Sequence, residues 1–154
     1  MLIQAMENLN SPVDLVIAGP SEDPAFRARL RKAARHLSVT FAGMVEGELK
    51  AGALAAANAL ILPSHHENFG LVVAEALSFG TPVLLSRQVN IAEEIELAGA
   101  GFVESDTVEG TTRLIERWLQ SAKTSMRRAA LACYQNYFSI ESSAGELLKV
   151  FAED

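Results

Sequence analysis

Residues 59–85 read ALILPSHHENFGLVVAEALSFGTPVLL, and this stretch decides the fold. A short apolar run, Ala59-Leu60-Ile61-Leu62, is closed by Pro63, as expected of a strand buried on both faces. A polar loop follows, and then Phe69 to Phe79 carries apolar residues at helical spacing until Gly80, a residue type common just past a helix end. Pro82 to Leu85 is a second apolar run. Strand, helix and strand over so few residues make a βαβ unit, whose strands lie parallel.

Working outward, the same alternation covers the chain. Val13-Asp14-Leu15-Val16-Ile17-Ala18 predicts a strand covered on both faces, ended by Gly19 and Pro20, and Val39-Thr40-Phe41-Ala42 another, ended by Gly43. Helices are predicted over 2–9, over 24–37 with Phe26, Leu30, Ala33, Ala34 and Leu37 inward, over 46–58 and over 91–97. Phe102 and Val103 form a short edge strand, and the remainder reads as helices over 108–122, 124–137 and 140–152. The expectation is an α/β, Rossmann-like three-layer sandwich with a parallel sheet, one domain over 1–154. One feature departs from it: the chain opens on a helix, so a first βα unit is expected to be missing.

Composition narrows the function. A net charge of −6 opposes a nucleic-acid partner, which calls for a basic footprint. The single cysteine, Cys133, excludes an intrachain disulfide framework and suits a reducing compartment. No apolar run approaches the roughly 20 residues that span a bilayer, and MLIQAMENLN lacks the basic start of a signal peptide. A cytoplasmic chain is expected. A peripheral contact with the inner face of a membrane stays open, because Arg27, Arg29, Arg31, Lys32 and Arg35 make the helix over 24–37 basic and amphipathic. The blander reading of that helix is a solvated face.

Ligands of open α/β sheets bind at the carboxy ends of the strands. Three loops qualify: Gly19-Pro20-Ser21, Gly43-Met44-Val45 and the segment from Pro63 to Gly70. The third leads into a helix whose first turn is expected to include Phe69, Gly70 and Leu71, with Asn68 as its cap. Free N–H groups and the positive dipole end there suit a diphosphate, and Gly70 allows a close backbone approach. Glu67 stands at the mouth of the helix and Glu75 two turns inside, roughly 12 Å apart along a helical axis. Each carboxylate can accept two hydrogen bonds from a vicinal diol.

Glu67-Asn68-Phe69-Gly70-Leu71-Val72-Val73-Ala74-Glu75, followed by Ala76-Leu77-Ser78-Phe79-Gly80-Thr81-Pro82-Val83, resembles the E-x7-E region of family-4-type retaining glycosyltransferases of the GT-B fold, in their carboxy-terminal half. The resemblance extends through Ala18-Gly19, Phe41-Ala42-Gly43, Leu62-Pro63-Ser64 and Ala98 to Val103. It implies that Glu67 holds hydroxyls of the donor sugar as the catalytic carboxylate and that Glu75 holds the ribose. It further implies that amides of Phe69, Gly70 and Leu71 meet the diphosphate, that Gly43, Met44 and Val45 lie against the base, and that Gly19 lets its loop pass close to the ligand. The donor would be a UDP- or GDP-sugar, the reaction would retain anomeric configuration, and neither metal nor cofactor would be needed. The family's basic pair on the first βα unit, and its amino-terminal acceptor domain, have no counterpart in this sequence. The chain alone is therefore expected to be inactive.

Two rivals remain: a GT-B sugar-nucleotide epimerase, and a non-catalytic binding module. His65 and His66 are adjacent, so their side chains diverge, and they read as loop residues and not metal ligands. Glu93, Glu94 and Glu96 read as solvated, Trp118 and Cys133 as packed. Neither a dinucleotide fingerprint nor a P-loop occurs, and there is no Asp-x-Asp of the metal-dependent GT-A type.

Overall fold

The computed structural model describes residues 1–21, 23–142, 144 and 148. Its elements run α1 (Leu2–Glu7), β1 (Leu15–Ala18), α2 (Pro24–Ala33), β2 (Val39–Gly43), α3 (Gly47–Ala56), β3 (Leu60–Leu62), α4 (Leu71–Ser78), β4 (Val83–Ser86), α5 (Ala92–Leu97), β5 (Gly101–Glu104), α6 (Val108–Gln120) and α7 (Lys123–Cys133), with a π turn at Tyr134–Phe138. This is the expected α/β alternation, opening on a helix. The helix expected over 140–152 is seen at 140–142; most of the rest of it lies outside the described residues.

All strand pairings are parallel. β4 stands between β3 and β5, with Leu60 opposite Val83 and Leu84 opposite Phe102. β1 pairs with β2, Leu15 opposite Val39, and these two form a sheet of their own. β5 is an edge, as its shortness predicted.

The period-two alternation of a strand creates the layers. Val83 and Leu85 of β4 point into one core with Val73, Ala76 and Leu77 of α4, Ile95 of α5, and Ala130 and Cys133 of α7. Leu84 points the other way, into a second core with Leu114 and Trp118 of α6 and Met126. The neighbouring strands obey the same division: Leu60, Leu62 and Val103 join the first core, Ile61 and Phe102 the second. Trp118 and Cys133 are thus packing residues. Burial pushes the Cys133 thiol up to about 11, which leaves it protonated and inert at neutral pH.

Local rules explain several ends. Asp23 caps α2, its Oδ1 accepting from the amides of Ala25 (2.8 Å) and Phe26 (3.1 Å), with Pro24 in the first helical position. Thr107 caps α6 by accepting from the Gly110 amide at 3.0 Å. α6 in turn supports α1, where the Thr112 hydroxyl donates to the Ala5 carbonyl at 3.4 Å.

The α2 expectation needs correction. The helix stops at Ala33 and buries no residue: Phe26 is exposed beneath Arg29, whose guanidinium lies 5.7 Å from the ring centroid, and Leu30 is half-buried. Only Ala34, just past its end, is buried. Likewise the strand expected to be covered on both faces leaves Val16 61% exposed. Burial is set by what packs on an element, and here little does. Among the described residues no helix is long and apolar enough to cross a membrane.

Candidate functional site

The three strand exits behave differently. Gly19 and Gly43 are tied together: the Gly19 amide donates to the Gly43 carbonyl at 2.7 Å, extending the β1–β2 ladder into the loops. Met44 beyond them is largely exposed and Val45 half-buried. An exposed thioether beside open backbone is a surface on which a flat ring could lie.

The third exit is pinned at its middle. Glu67 bridges to Val89, with the Glu67 amide donating to the Gln88 carbonyl (3.4 Å) and the Asn90 amide to the Glu67 carbonyl (3.3 Å). Its side chain is half-buried. Three residues later Gly70 adopts a left-handed conformation (φ 65°, ψ 61°) and becomes the cap of α4. A Cβ there would meet Val73 Cγ2 at 3.2 Å and Glu67 Cγ at 3.4 Å, a tight fit, and the left-handed backbone is what calls for glycine.

This corrects two expectations. Asn68 is not the cap, and Phe69 lies outside the helix, its ring edge-on to Phe138 at 6.0 Å. α4 has no side-chain cap, so the amides of Leu71 and Val72 are left free of one, whereas that of Val73 donates to the Gly70 carbonyl at 2.7 Å. Because the helix starts at Leu71, the 12 Å axial spacing does not apply. Gly70 to Glu75 is about 7.5 Å of helix, and Glu67 approaches Gly70 sideways from the turn.

Glu75 has a partner that sequence reasoning missed. Lys50, one turn inside α3, donates to Glu75 Oε1 at 2.8 Å. The buried Oε2 lies 2.5 Å from the same ammonium, so both carboxylate oxygens face Lys50. The only hint in the sequence was a lone cation in an alanine-rich helix.

Around the rim, His65 Nδ1 lies 2.9 Å from Asp106 Oδ2 in the turn after β5. The His65 hydrogen bond is the main influence that lowers the Asp106 carboxyl below its ordinary value. The buried Ser86 hydroxyl donates to the Ser64 carbonyl and fixes the start of the loop to β4. His66 is exposed, as are Glu93, Glu94 and Glu96. Among the described residues no three His, Cys, Asp or Glu side chains are grouped to hold a metal ion.

Chemically, the start of α4 offers free amides, a glycine with no side chain in the way, and carboxylates before and after. Comparison with known proteins gives the chain a family. A GDP-mannose-dependent alpha-(1-6)-phosphatidylinositol dimannoside mannosyltransferase of Mycobacterium tuberculosis is 35% identical over 117 residues, covering 75% of this chain and 30% of that protein. A D-inositol 3-phosphate glycosyltransferase of Xylanimonas cellulosilytica is 38% identical over 89 residues, 54% of this chain and 21% of that one. Among solved structures, sucrose-phosphate synthase from Thermosynechococcus elongatus superposes with a TM-score of 0.78 at 28% identity, over 99% of this chain and 42% of its own. A glycosyltransferase from Rickettsia africae has the same fold, with a TM-score of 0.82 at 18% identity. The chain spans less than half the length of each of these relatives. The GT-B, Rossmann-like architecture is common to them, and the model for "Glycosyl transferases group 1" matches residues 1–132. This chain belongs to the group 1 glycosyltransferase family.

Proposed function

We propose that residues 1–154 form the nucleotide-sugar-binding, carboxy-terminal domain of a retaining, family-4-type glycosyltransferase. The whole enzyme would transfer a hexosyl group from a UDP- or GDP-sugar to a sugar, lipid or small-molecule acceptor. The observation that carries this reading is the start of α4, where uncapped amides lie between Glu67 and Glu75. Amides of Phe69, Gly70 and Leu71 would receive the diphosphate, on which charge builds as the glycosyl bond breaks. Asn68 belongs to the same turn. Glu67, reaching toward Gly70, would hold hydroxyls of the transferred sugar. Glu75, with Lys50 balancing its charge, would hold the ribose diol. Gly43, Met44 and Val45 would lie against the base, with Gly19 bringing the first loop alongside.

The relatives support the donor class: one is named for GDP-mannose and a phosphatidylinositol mannoside. That name also supports a lipid acceptor and a peripheral membrane contact through the exposed basic helix α2. The acceptor site is expected in a domain outside these residues, so the isolated chain should bind donor and fail to transfer.

The test is calorimetry with UDP and GDP on the chain and on Gly70→Ala. The added methyl must occupy a left-handed backbone position, at a cost of about 1–2 kcal/mol, and would press on Val73 and Glu67 in the turn that presents the amides. The variant should stay folded by circular dichroism and lose nucleotide affinity by about tenfold or more, equivalent to 1.4 kcal/mol. Heat of binding from neither nucleotide, or equal affinity in the variant, would reject the assignment.

A further inference from the structure

The backbone of Glu67 is held on a firm support by weak ties. Its amide donates to Gln88 at 3.4 Å and its carbonyl accepts from Asn90 at 3.3 Å, both longer than usual for such bonds. Val89, between those two partners, is buried in the core beside β4. Upstream, the Ser86 hydroxyl fixes the Ser64 carbonyl. Two residues, His65 and His66, separate these attachments, and His65 has a partner at another strand exit.

That partner is Asp106, and the turn that carries it has little slack. Gly110 lies so close beneath Ser105 that a Cβ on it would stand 2.1 Å from the Ser105 carbonyl oxygen. An aspartate beside a helix start commonly serves as its cap. Here Thr107 takes that position, and the Asp106 carboxylate reaches across to His65 Nδ1 at 2.9 Å. That bond is the main influence holding the carboxyl below its ordinary value, and the Gln88 side chain adds to it to a smaller extent. An ionised carboxylate only accepts, so Nδ1 of His65 carries the proton. Asp106 thus ties the exit of β5 to the exit of β3, one residue past Ser64 and two short of Glu67.

We infer that Asp106 is a positioning residue for Glu67, acting through His65 to hold the loop from Pro63 to Gly70 against the strand exits. It touches no substrate. The inference rests on the reading of Glu67 as the carboxylate that holds the transferred sugar, and adds what keeps that carboxylate in place. A group that must meet sugar hydroxyls at fixed angles needs supporting contacts around it. Two long backbone bonds supply two points of attachment, and the His65–Asp106 latch supplies a third.

The test compares the 154-residue chain with Asp106→Ala, Asp106→Asn, His65→Ala and the double alanine variant. Without ligand, hydrogen exchange at the Glu67 and Asn90 amides should quicken by about threefold in either alanine variant, within the range for an exposed pair. The double variant should go no further than one alone, since the two residues act as one latch. Asp106→Asn keeps an acceptor for Nδ1–H and should restore most of the protection. The Arg87 amide, bonded to the Glu104 carbonyl at 2.9 Å, is the internal reference and should not change. Unaltered rates, or effects of the two alanines that add, would overturn the latch. Calorimetry then compares GDP-mannose with GDP and UDP-glucose with UDP. In Asp106→Ala the ratio of affinities should shift against the sugar nucleotide by about threefold. Faster exchange with both ratios unchanged would overturn the positioning role. Silence from all four nucleotides would sink the nucleotide reading, and the sugar role with it, whereas the exchange rates decide the latch on their own.

Discussion

Gly101→Ala is expected to cost this domain most or all of its stability. A Cβ at Gly101 would stand 1.8 Å from the Val83 carbonyl oxygen and 3.1 Å from Ile95 Cγ2. Neither obstacle can withdraw. Val83 is fully buried in the central strand, opposite Gly101 in the register, and its own amide donates to the Ala100 carbonyl at 3.2 Å. Relief would require β5 to move away from β4 and open the ladder, and α5 would have to follow. Overpacking by one methylene commonly costs about 1–3 kcal/mol, and an obstacle made of backbone puts this site beyond that range, at roughly 4 kcal/mol or more. For a chain of this size the melting temperature should fall by roughly 10 °C or more. Gly52→Ala is the control of opposite sign: nothing lies within 4 Å of that Cβ, and alanine in the exposed helix α3 gains up to about 1 kcal/mol. Thermal denaturation of both variants tests the parallel β4–β5 register directly. A Gly101→Ala protein melting within a degree or two of the parent would contradict it.

The second large effect is on binding and not on folding. Glu75→Ala should weaken UDP or GDP binding by roughly 10- to 100-fold, the loss expected for hydrogen bonds to a charged acceptor worth about 1.5–3 kcal/mol. Stability should change little. The Lys50–Glu75 pair is about 40% exposed at both side chains, and pairs of that kind contribute about 0–1 kcal/mol. Glu75→Gln keeps the size and the ability to bond a hydroxyl while removing the charge, so its affinity should fall between those of the parent and the alanine variant. Calorimetry paired with thermal melts separates the two quantities. Equal affinity in parent and alanine variant would take the ribose role away from Glu75 and leave the ion pair as a structural clamp between α3 and α4.

What the sequence disclosed was period and punctuation. Apolar runs closed by Gly19, Gly43 and Pro63 located strands to within two residues, and the motif helix was found with its end at Gly80. Depth was not disclosed. The run from Val13 to Ala18 has the composition of a doubly covered strand, but coverage comes from neighbours, and Val16 has none on its side. The start of α4 was placed two residues early because Asn68 has the better statistical claim to a cap, whereas Gly70 takes the position through a backbone angle open to few other residues. Lys50 and Glu75 are 25 positions apart on different helices, beyond any spacing rule for one helix. Nothing in the spacing around Gly101 showed that its role is to let two backbones touch.

The division of the interior by β4 has a consequence for anyone watching this protein in solution. The single indole, Trp118, sits in the compartment behind the sheet, capped by the Lys123 ammonium 3.7 Å from its ring centroid. The acidic pair and the amides of α4 are on the front. Intrinsic fluorescence therefore reports the melting of the whole layer stack but is shielded by a sheet from events at the helix start, and a silent titration would say nothing about occupancy there.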